Sequence, residues 1–319
     1  MFCTEMVMAQ MKAVYFNEHG GPDVLTYGDL PDPEAGAGEV VVDIHAASIN
    51  AADWKVRSGA NQTLERFPHV LGRDFSGTVA SLGAGVDDFA PGEAVFGVSE
   101  RDSEGGYAEK KAIGAAILAR KPDGWSHEQA AALALTGLTA IVSIEDTLRL
   151  QPGETILIQG GAGGVAGFAI QLAKHIGARV ITTAGTANLD YVKALGADLA
   201  IDYTKEDFTE VAGACDAVFE TVGGDVAMRS FAVLKPGGRA AFIASGAEAP
   251  SAPRADVTAL RPKVGRDRRH LERIVELVDG GAVRVPEITI YPLAEAASAH
   301  RVSEARHLRG KLVLKVRQR

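Results

Sequence analysis

Short apolar runs separated by turn residues fill the first part of this chain. Residues 40–44 form one such run after a turn rich in proline and glycine, and residues 78–80 and 94–96 form two more between glycines. Brief strands with frequent turns are typical of a barrel or a sandwich. The exception is residues 50–58, whose spacing predicts a short helical turn. We therefore expect a β-rich region over residues 11–130.

The periodicity changes after residue 130. Helical spacing of apolar residues covers 127–135 and 137–148, and beyond residue 155 strand patterns alternate with helix patterns. Such alternation indicates βαβ units around a parallel sheet. A last helix and strand, at 293–307 and 311–316, are expected to pair back onto the first region. The alternating pairs are 155–159 with 163–176, 179–183 with 188–195, 199–202 with 206–212 and 217–220 with 225–234, before a strand at 240–243.

Composition and charge exclude several classes of protein. The 319 residues are 46% hydrophobic and 23% charged, as in an average globular protein, which excludes a disordered chain. The net charge of −8 makes nucleic acid an unexpected partner. The two cysteines, Cys3 and Cys215, are too far apart for a CxxC metal or redox pair. The first ten residues lack the regions of a signal peptide, so we expect a cytoplasmic protein.

Two segments have a second interpretation. Residues 155–173 carry no charge and approach the length of a membrane span, but five glycines and a change of period favour a strand, a turn and a helix. We therefore expect no membrane contact. Residues 254–273 are rich in arginine, yet Asp256, Asp267 and Glu272 interrupt them. We interpret this stretch as a solvated loop and helix start, with a nucleic-acid patch and a subunit interface as the alternatives.

Glycine accounts for 36 of the residues, and its densest cluster follows the strand pattern at 155–159. Gly161, Gly163 and Ala166 match the G-x-G-x-x-(G/A) fingerprint of dinucleotide-binding sites. Gly161 permits the tight turn, Gly163 lets the backbone approach a pyrophosphate, and the following helix presents its free N–H groups. The cluster therefore predicts a site for a nicotinamide dinucleotide.

The choice between NADPH and NADH depends on the end of the second parallel strand. NAD sites usually place a carboxylate there, on the ribose diol. Residues 179–183 lead instead into Ala184-Gly185-Thr186, without an acidic residue. A 2′-phosphate is therefore tolerated, and we expect NADPH, with NADH as the alternative. The candidates to meet that phosphate are Lys193, Tyr203, Lys205 and Arg306.

Ordered motifs over residues 11–317 carry a resemblance to a known family. They include Ala47-Ser48-Ile49-Asn50-Ala51-Ala52-Asp53, Leu71-Gly72-Arg73-Asp74-Phe75-Ser76-Gly77, Gly105-Gly106-Tyr107-Ala108-Glu109, Thr136-Gly137-Leu138-Thr139-Ala140, the glycine cluster and Leu234-Lys235-Pro236-Gly237-Gly238. In this order they resemble the medium-chain dehydrogenase/reductase superfamily, in its zinc-free quinone oxidoreductase (zeta-crystallin-like) branch.

The resemblance implies an α/β fold made of a Rossmann doubly wound parallel sheet and a GroES-like β-barrel domain. It assigns residues 11–130 to a GroES-like catalytic domain and 131–275 to a Rossmann dinucleotide-binding domain. Residues 276–319 form a C-terminal segment that returns to the catalytic domain. The cofactor is expected in the cleft between the domains. Relatives often dimerise, so we also expect a homodimer.

The resemblance also concerns metals. Zinc-dependent relatives carry a cysteine at the position of Asn50, a histidine at that of Arg73 and a third ligand near Leu135. None of these three residues is a cysteine or a histidine, so none can supply the zinc ligand that the relatives have there. The resemblance therefore implies a site without zinc or another metal.

The site residues are implied by the same resemblance. Asn50, Asp53 and Arg73 are the catalytic candidates, although Asp53 equally suits a helix cap, and Arg73 suits a structural ion pair with Asp74 or Asp53. Asn50 is expected beside the nicotinamide ribose and Thr136 near the nicotinamide. The other expected cofactor contacts are Gly161, Gly163, Gly164 and Val165 at the pyrophosphate, Gly185, Thr186 and Tyr203 at the adenosine phosphate, and Thr221, Ile243, Ser245 and Arg306.

Taken together, these features predict hydride transfer from NADPH to a small-molecule electrophile. The electrophile is a quinone or the β-carbon of an α,β-unsaturated carbonyl compound, and the protein supplies orientation while the cofactor supplies the chemistry. The sequence shows no evident proton donor. Two alternatives stay open: a 2-enoyl thioester reductase, which would need a basic track for a CoA or carrier phosphate, and a catalytically quiet NADPH-binding structural or sensor protein.

Overall fold

The computed structural model describes residues 9–60, 64, 66–100, 103–244, 246 and 248–317. The strands are β1 (Gln10–Phe16), β2 (Thr26–Pro31), β3 (Glu39–Ser48), β4 (His69–Val70), β5 (Asp74–Leu82), β6 (Ala94–Val98), β7 (Lys110–Gly114), β8 (Leu118–Arg120), β9 (Thr155–Ile158), β10 (Arg179–Ala184), β11 (Leu199–Asp202), β12 (Cys215–Glu220), β13 (Leu234–Phe242), β14 (Thr258–Leu260), β15 (Ile288–Pro292) and β16 (Lys311–Lys315). The helices are α1 (Ala51–Arg57), α2 (His127–Ile141), α3 (Gly164–Ile176), α4 (Leu189–Ala194), α5 (Phe208–Val211), α6 (Asp225–Arg229), α7 (Arg268–Asp279) and α8 (Ala296–Glu304).

The strands of the first region form two sheets. The larger has the order β15-β16-β3-β5-β6-β8, with β7 also paired to β3, and a smaller sheet has the order β2-β1-β4. Alternate residues of β3 face one core, where Val40, Val42 and Ile44 are fully buried. β16 pairs antiparallel with β3, so that Val313 lies opposite Ser48. The end of the chain therefore completes the sheet that the first region begins.

A parallel sheet forms the second half of the molecule. Its order is β11-β10-β9-β12-β13-β14, and every pair in it is parallel. Helices cover both faces because both faces are apolar: Ile156 and Ile158 of β9 face one core and Leu157 faces the other. The reversal of strand order beside β9 is the topological switch point at which doubly wound folds bind ligands. The α/β fold class predicted from the alternating pattern is confirmed.

Helix α2 lies between the two halves. The Ser126 hydroxyl accepts from the Gln129 N–H at its start, and a π-helical segment, Val142–Thr147, continues it. The chain therefore forms one continuous helical unit where the pattern predicted separate helices at 127–135 and 137–148. Within the described residues, 127–147 has the length and apolarity of a membrane span, but 78% of the tested window is buried inside the protein. Packing on both halves accounts for its composition.

Helices α4, α5 and α6 are shorter than the sequence predicted. The helix expected over 225–234 is α-helical only at Asp225–Arg229 and then continues as a 3-10 turn, Ser230–Val233. The strand expected at 240–243 begins six residues earlier, at Leu234. Register shifts between β12 and β13 accommodate this longer strand. Local propensity did not define the start of this strand, because pairing of β13 with β12 already begins at Leu234.

Candidate active site

The glycine loop follows β9 and leads directly into α3. A Cβ on Gly161 would lie 2.3 Å from Thr182 Oγ1 and 3.0 Å from Ile170 Cδ1, so only glycine fits this turn. Gly163 is the N-cap of α3, and no side chain caps the helix. A Cβ on Gly163 would meet only the Gly160 carbonyl, at 3.6 Å, so one side of the helix start is open. Uncapped N–H groups beside open space fit the diphosphate of a dinucleotide.

Asn50 lies at the start of α1 with its side-chain amide held from two sides. Its Oδ1 accepts from Lys311 Nζ at 2.6 Å, and its Nδ2 donates to Asp74 Oδ1 at 2.7 Å. The Ser48 hydroxyl donates to the other oxygen of Asp74 at 2.7 Å. Asn50 itself is only partly buried. The amide is therefore held in place within a residue that is only partly buried.

Lys311 brings Asn50 next to the glycine loop. A Cβ on Gly164 would lie 3.4 Å from Lys311 Cδ and 3.0 Å from Thr136 Cγ2. The neighbouring Gly310 donates its N–H to the Ala162 carbonyl at 3.0 Å. Asn50 and Thr136 therefore both lie beside the start of α3. This is the arrangement expected around the nicotinamide end of a cofactor. Lys311 was not predicted from the sequence. The one feature that could have indicated it is a lysine at the first position of an apolar strand.

Asp53 lies one helical turn beyond Asn50 and is buried. Its Oδ2 accepts from the Asn50 N–H at 2.8 Å and from the Tyr107 hydroxyl at 2.9 Å. Its Oδ1 is buried without a hydrogen-bond partner among the described residues. Burial raises the pKa of Asp53 to about 7, and Asp74 adds to the rise while Arg73 opposes it. Asp53 therefore caps α1, as one expectation had it, and is also an ionisable group beside the site.

A hydrogen-bonded network of buried polar groups extends from Asp53 to helix α8. The Arg57 guanidinium donates to His300 Nδ1 at 2.9 Å, and His300 Nε2 lies 3.2 Å from the Tyr107 hydroxyl. Burial, with a contribution from Arg57, lowers the pKa of His300 to about 3. Arginine can only donate, so neutral His300 carries its proton on Nε2 and the chain of donors points toward Asp53. Glu304 of α8 completes the chain through an ion pair with Arg57.

Arg73, the third catalytic candidate, is engaged in an ion pair. Its Nε and Nη2 each lie 3.0 Å from Glu104 Oε1. The sequence predicted a structural ion pair for Arg73, with Asp74 or Asp53 as examples of the partner; the ion pair is present, but its partner is Glu104. Glu104 precedes the Gly105-Gly106 turn, whose N–H groups both donate to the Gly72 carbonyl. That loop contact brings Glu104 to Arg73 across 31 residues, which no local pattern reveals.

The residues expected at the adenosine phosphate cluster after β10 and β11. A Cβ on Gly185 would lie 3.3 Å from the hydroxyl of Tyr203, a side chain that is half exposed. Thr186 Oγ1 donates to Asp202 Oδ2 at 2.5 Å. Hydrogen bonds from Thr186 and Thr204 lower the pKa of Asp202 to about 2. The Asp202 carboxylate, which was not predicted from the sequence, therefore lies near the expected adenosine phosphate site. It comes from the neighbouring strand β11 and already accepts hydrogen bonds from two hydroxyls.

The other expected contacts lie on separate elements. Thr221 Oγ1 donates to the Gln159 carbonyl at 2.8 Å, which places it under the glycine loop. The Ile243 N–H donates to the Glu220 carbonyl at 3.1 Å, just beyond β13. Arg306 stands 5.5 Å above the Trp54 ring of α1, a contact on the side of the catalytic candidates. Val165 occupies the first turn of α3. Ser245 lies outside the described residues.

Potential metal ligands are also informative. Among the described residues, no group of three or more His, Cys, Asp or Glu side chains is arranged to hold a metal ion. The residues at the positions expected for zinc ligands in relatives are bonded elsewhere, Asn50 to Lys311 and Asp74, and Arg73 to Glu104. The site is therefore organised by hydrogen bonds and ion pairs.

Comparison with known proteins gives matches along most of the chain. Residues 36–136 match the alcohol dehydrogenase GroES-like domain, and residues 195–314 match a family described as zinc-binding dehydrogenase. The chain is 34% identical over 317 residues to a chloroplastic NADPH-dependent alkenal/one oxidoreductase of Arabidopsis thaliana, covering 96% of this chain and 79% of that protein.

Solved structures agree with these matches. The quinone oxidoreductase from Coxiella burnetii superposes with a TM-score of 0.90 at 36% identity, covering 97% of this chain and 100% of that one. A mycobacterial protein in complex with NADPH superposes with a TM-score of 0.87 at 32% identity, covering 96% of this chain and 100% of that one. The similarity therefore includes both halves of the molecule and the return of the C-terminal segment.

Proposed function

This chain belongs to the medium-chain dehydrogenase/reductase superfamily, in its zinc-free quinone oxidoreductase-like branch, and on that premise we propose that it transfers hydride from NADPH to a quinone or an α,β-unsaturated carbonyl compound. One observation carries the proposal: the uncapped start of α3 opens beside the fixed amide of Asn50. NADPH supplies the hydride, and the protein supplies binding and orientation.

The proposed roles follow the geometry. Gly161 shapes the loop, and Gly163, Gly164 and Val165 bind the diphosphate through N–H groups at the helix start. Asn50 and Thr136 contact the nicotinamide half. The adenosine half is proposed to contact Gly185, Thr186, Tyr203 and Thr221, and Arg306 is proposed to meet a cofactor phosphate. Ile243 and Ser245 are proposed to lie beside the nicotinamide carboxamide.

Zinc independence is supported by the charges around Asn50. The Lys311 ammonium bonds to the Asn50 oxygen, and the Arg73 guanidinium lies close enough to Asp53 to affect its pKa. Two fixed positive charges disfavour a divalent cation at the same place. The division into domains at residues 130 and 275, a homodimer and a cytoplasmic location belong to the same proposal, and sedimentation of the purified protein tests the dimer.

The test of the reaction is oxidation of NADPH with a panel of acceptors. We expect turnover with quinones, enals or enones, a lower kcat/KM with NADH, and no loss of activity after dialysis against a chelator. Faster turnover of crotonyl-CoA than of every quinone and enone would favour the 2-enoyl thioester reductase. Tight binding of NADPH without turnover of any acceptor would favour the quiet binding protein, and the proposed activity would be wrong.

A further inference from the structure

Lys311 is a buried lysine whose ammonium bonds to no carboxylate among the residues that the structure describes. Its side chain is 4% exposed, and Nζ donates to Asn50 Oδ1 and to the Ile49 carbonyl, both at 2.6 Å. Burying an ammonium is costly unless polar partners surround it. Burial accordingly lowers the pKa of Lys311, while the charges of Asp74 and Asp53 act in the opposite direction. Lys311 therefore holds a costly buried ammonium against the side-chain oxygen of Asn50.

The bonds of Asn50 define which way its amide points. Lysine has donors only, so Asn50 Oδ1 must face Lys311. An ionised carboxylate has acceptors only, so Nδ2 must face Asp74. The reverse orientation would place donor against donor and acceptor against acceptor. The amide is thus locked in one orientation.

One hydrogen of this amide remains. Nδ2 carries two hydrogens, and Asp74 is its one hydrogen-bond acceptor among the described residues. Asn50 is partly accessible, and Lys311 and Thr136 both lie against Gly164 at the start of α3. The second N–H therefore has no acceptor among the described residues, in a side chain that Lys311 holds beside the start of α3. A cation on the oxygen strengthens that N–H as a donor, because hydrogen bonds in a chain polarise one another.

We propose that Lys311 is a positioning residue that, opposite Asp74, locks and polarises the Asn50 amide so that its remaining N–H donates to an oxygen of the nicotinamide half of NADPH. This inference rests on the proposed function for the identity of the ligand. Lys311 acts through Asn50 and is assigned no contact with the reacting atoms.

A double-mutant cycle on NADPH affinity tests the proposal. Kd is measured by fluorescence titration for the wild type, Lys311→Met, Asn50→Ala and the double variant. We expect each single variant to raise Kd about tenfold, the size of one hydrogen bond. The double variant should also raise Kd about tenfold, because both changes remove the same contact. A rise of about a hundredfold in the double variant would mean independent effects and would overturn the proposal.

Two further variants separate positioning from stability. Lys111 is also a buried lysine, but it donates to the backbone carbonyls of Ser103 and Glu104 and not to Asn50. Lys111→Met should lower the unfolding midpoint while changing Kd for NADPH less than about twofold. If Lys311→Met does not fold, Lys311→Gln takes its place, since glutamine keeps a donor without the charge. Its rise in Kd should be smaller than tenfold and should vanish in the Asn50→Ala background, and an equal rise in both backgrounds would overturn the proposal.

The outcomes also separate this inference from the proposed reaction. If the wild type binds NADPH but turns over no acceptor, the proposed hydride transfer is wrong, yet the double-mutant cycle on Kd can still be measured. Normal turnover with an additive cycle would overturn only the role of Lys311. Failure of the wild type to bind NADPH would overturn both.

Discussion

Single residues determine the chemistry available at the site, and Asp53 is the clearest case. Its Oδ2 already accepts two hydrogen bonds, so a neutral Asp53 carries its proton on the partnerless Oδ1. Burial is the main cause of its raised pKa. The sequence identified Asp53 as a candidate but could not indicate this pKa, because the burial that raises it arises only when distant parts of the chain, such as Tyr107, pack against α1.

Replacing Asp53 changes how stability depends on pH. The native pKa of about 7 lies above the ordinary value of 3.8, so the native state binds the proton more tightly than the unfolded chain does. The associated stability is present in full below about pH 4 and is lost as pH rises through about 7. Between pH 5 and 8, we expect wild-type stability to fall by about 1–3 kcal/mol relative to Asp53→Asn. Urea unfolding at both pH values measures this difference.

The control for this experiment is Asp225→Asn. The Asp225 side chain is exposed on α6, so its profile should run parallel to that of the wild type. Parallel profiles for the wild type and Asp53→Asn would contradict the raised pKa of Asp53.

At the scale of elements, the glycine loop and α3 were predictable from the sequence. The strand, the turn and the amphipathic helix are contiguous in the chain, and their signals are local: an apolar run, a glycine fingerprint and helical spacing. Pairing with a neighbour moved the start of β13, whereas α6 ended early because the chain continues as a 3-10 turn. Local pattern defines an element, while its neighbours define its ends.

Two glycines of this loop should respond differently to alanine. Gly161→Ala places a Cβ 2.3 Å from Thr182 Oγ1, and we expect it to lower the free energy of unfolding by about 1–3 kcal/mol. Gly163→Ala meets only the Gly160 carbonyl at 3.6 Å, and its φ of −75° suits alanine, so stability should change by less than about 1 kcal/mol. The added methyl group would occupy the proposed diphosphate site, so NADPH affinity should fall about tenfold or more.

Urea unfolding and NADPH titration of both variants measure these effects. Gly114→Ala serves as the control, because a Cβ there meets nothing within 4 Å. Unchanged NADPH affinity in Gly163→Ala would place the diphosphate elsewhere.

For the whole molecule, the arginine-rich stretch joins the two halves. Arg268 at the start of α7 donates to the Leu118 carbonyl at 2.7 Å and to the Ala115 carbonyl at 2.9 Å, and it pairs with Asp88. The Arg266 Nε donates to the Ser99 carbonyl at 3.0 Å. Much of this stretch is therefore bonded within the chain, which weakens the idea of a nucleic-acid patch.

Removing Arg268 should destabilise the contact between the halves. Arg268→Met loses two bonds to backbone carbonyls and an ion pair, and we expect the free energy of unfolding to fall by about 1–3 kcal/mol. Arg229 is a matched control, because it pairs with an aspartate, Asp207, and stacks on a phenylalanine, as Arg268 stacks on Phe89. Within the described part of the chain, however, it donates to no carbonyl of the other half. Arg229→Met should cost less than about 0.5 kcal/mol. Equal losses in urea unfolding would show that the carbonyl contacts contribute nothing.

The sequence by itself determined the α/β class, the glycine loop, the helix that follows it and the family. These depend on contiguous residues, whose periodicity and glycine spacing act over one turn or one strand. Only the tertiary structure decided which side chains meet: Lys311 with Asn50, Glu104 with Arg73, and His300 with Tyr107. Such pairs join residues separated by 31 to 261 positions. Their geometry depends on sheet order and on the return of the last strand, because a buried charge is tolerated only where the fold brings partners to it.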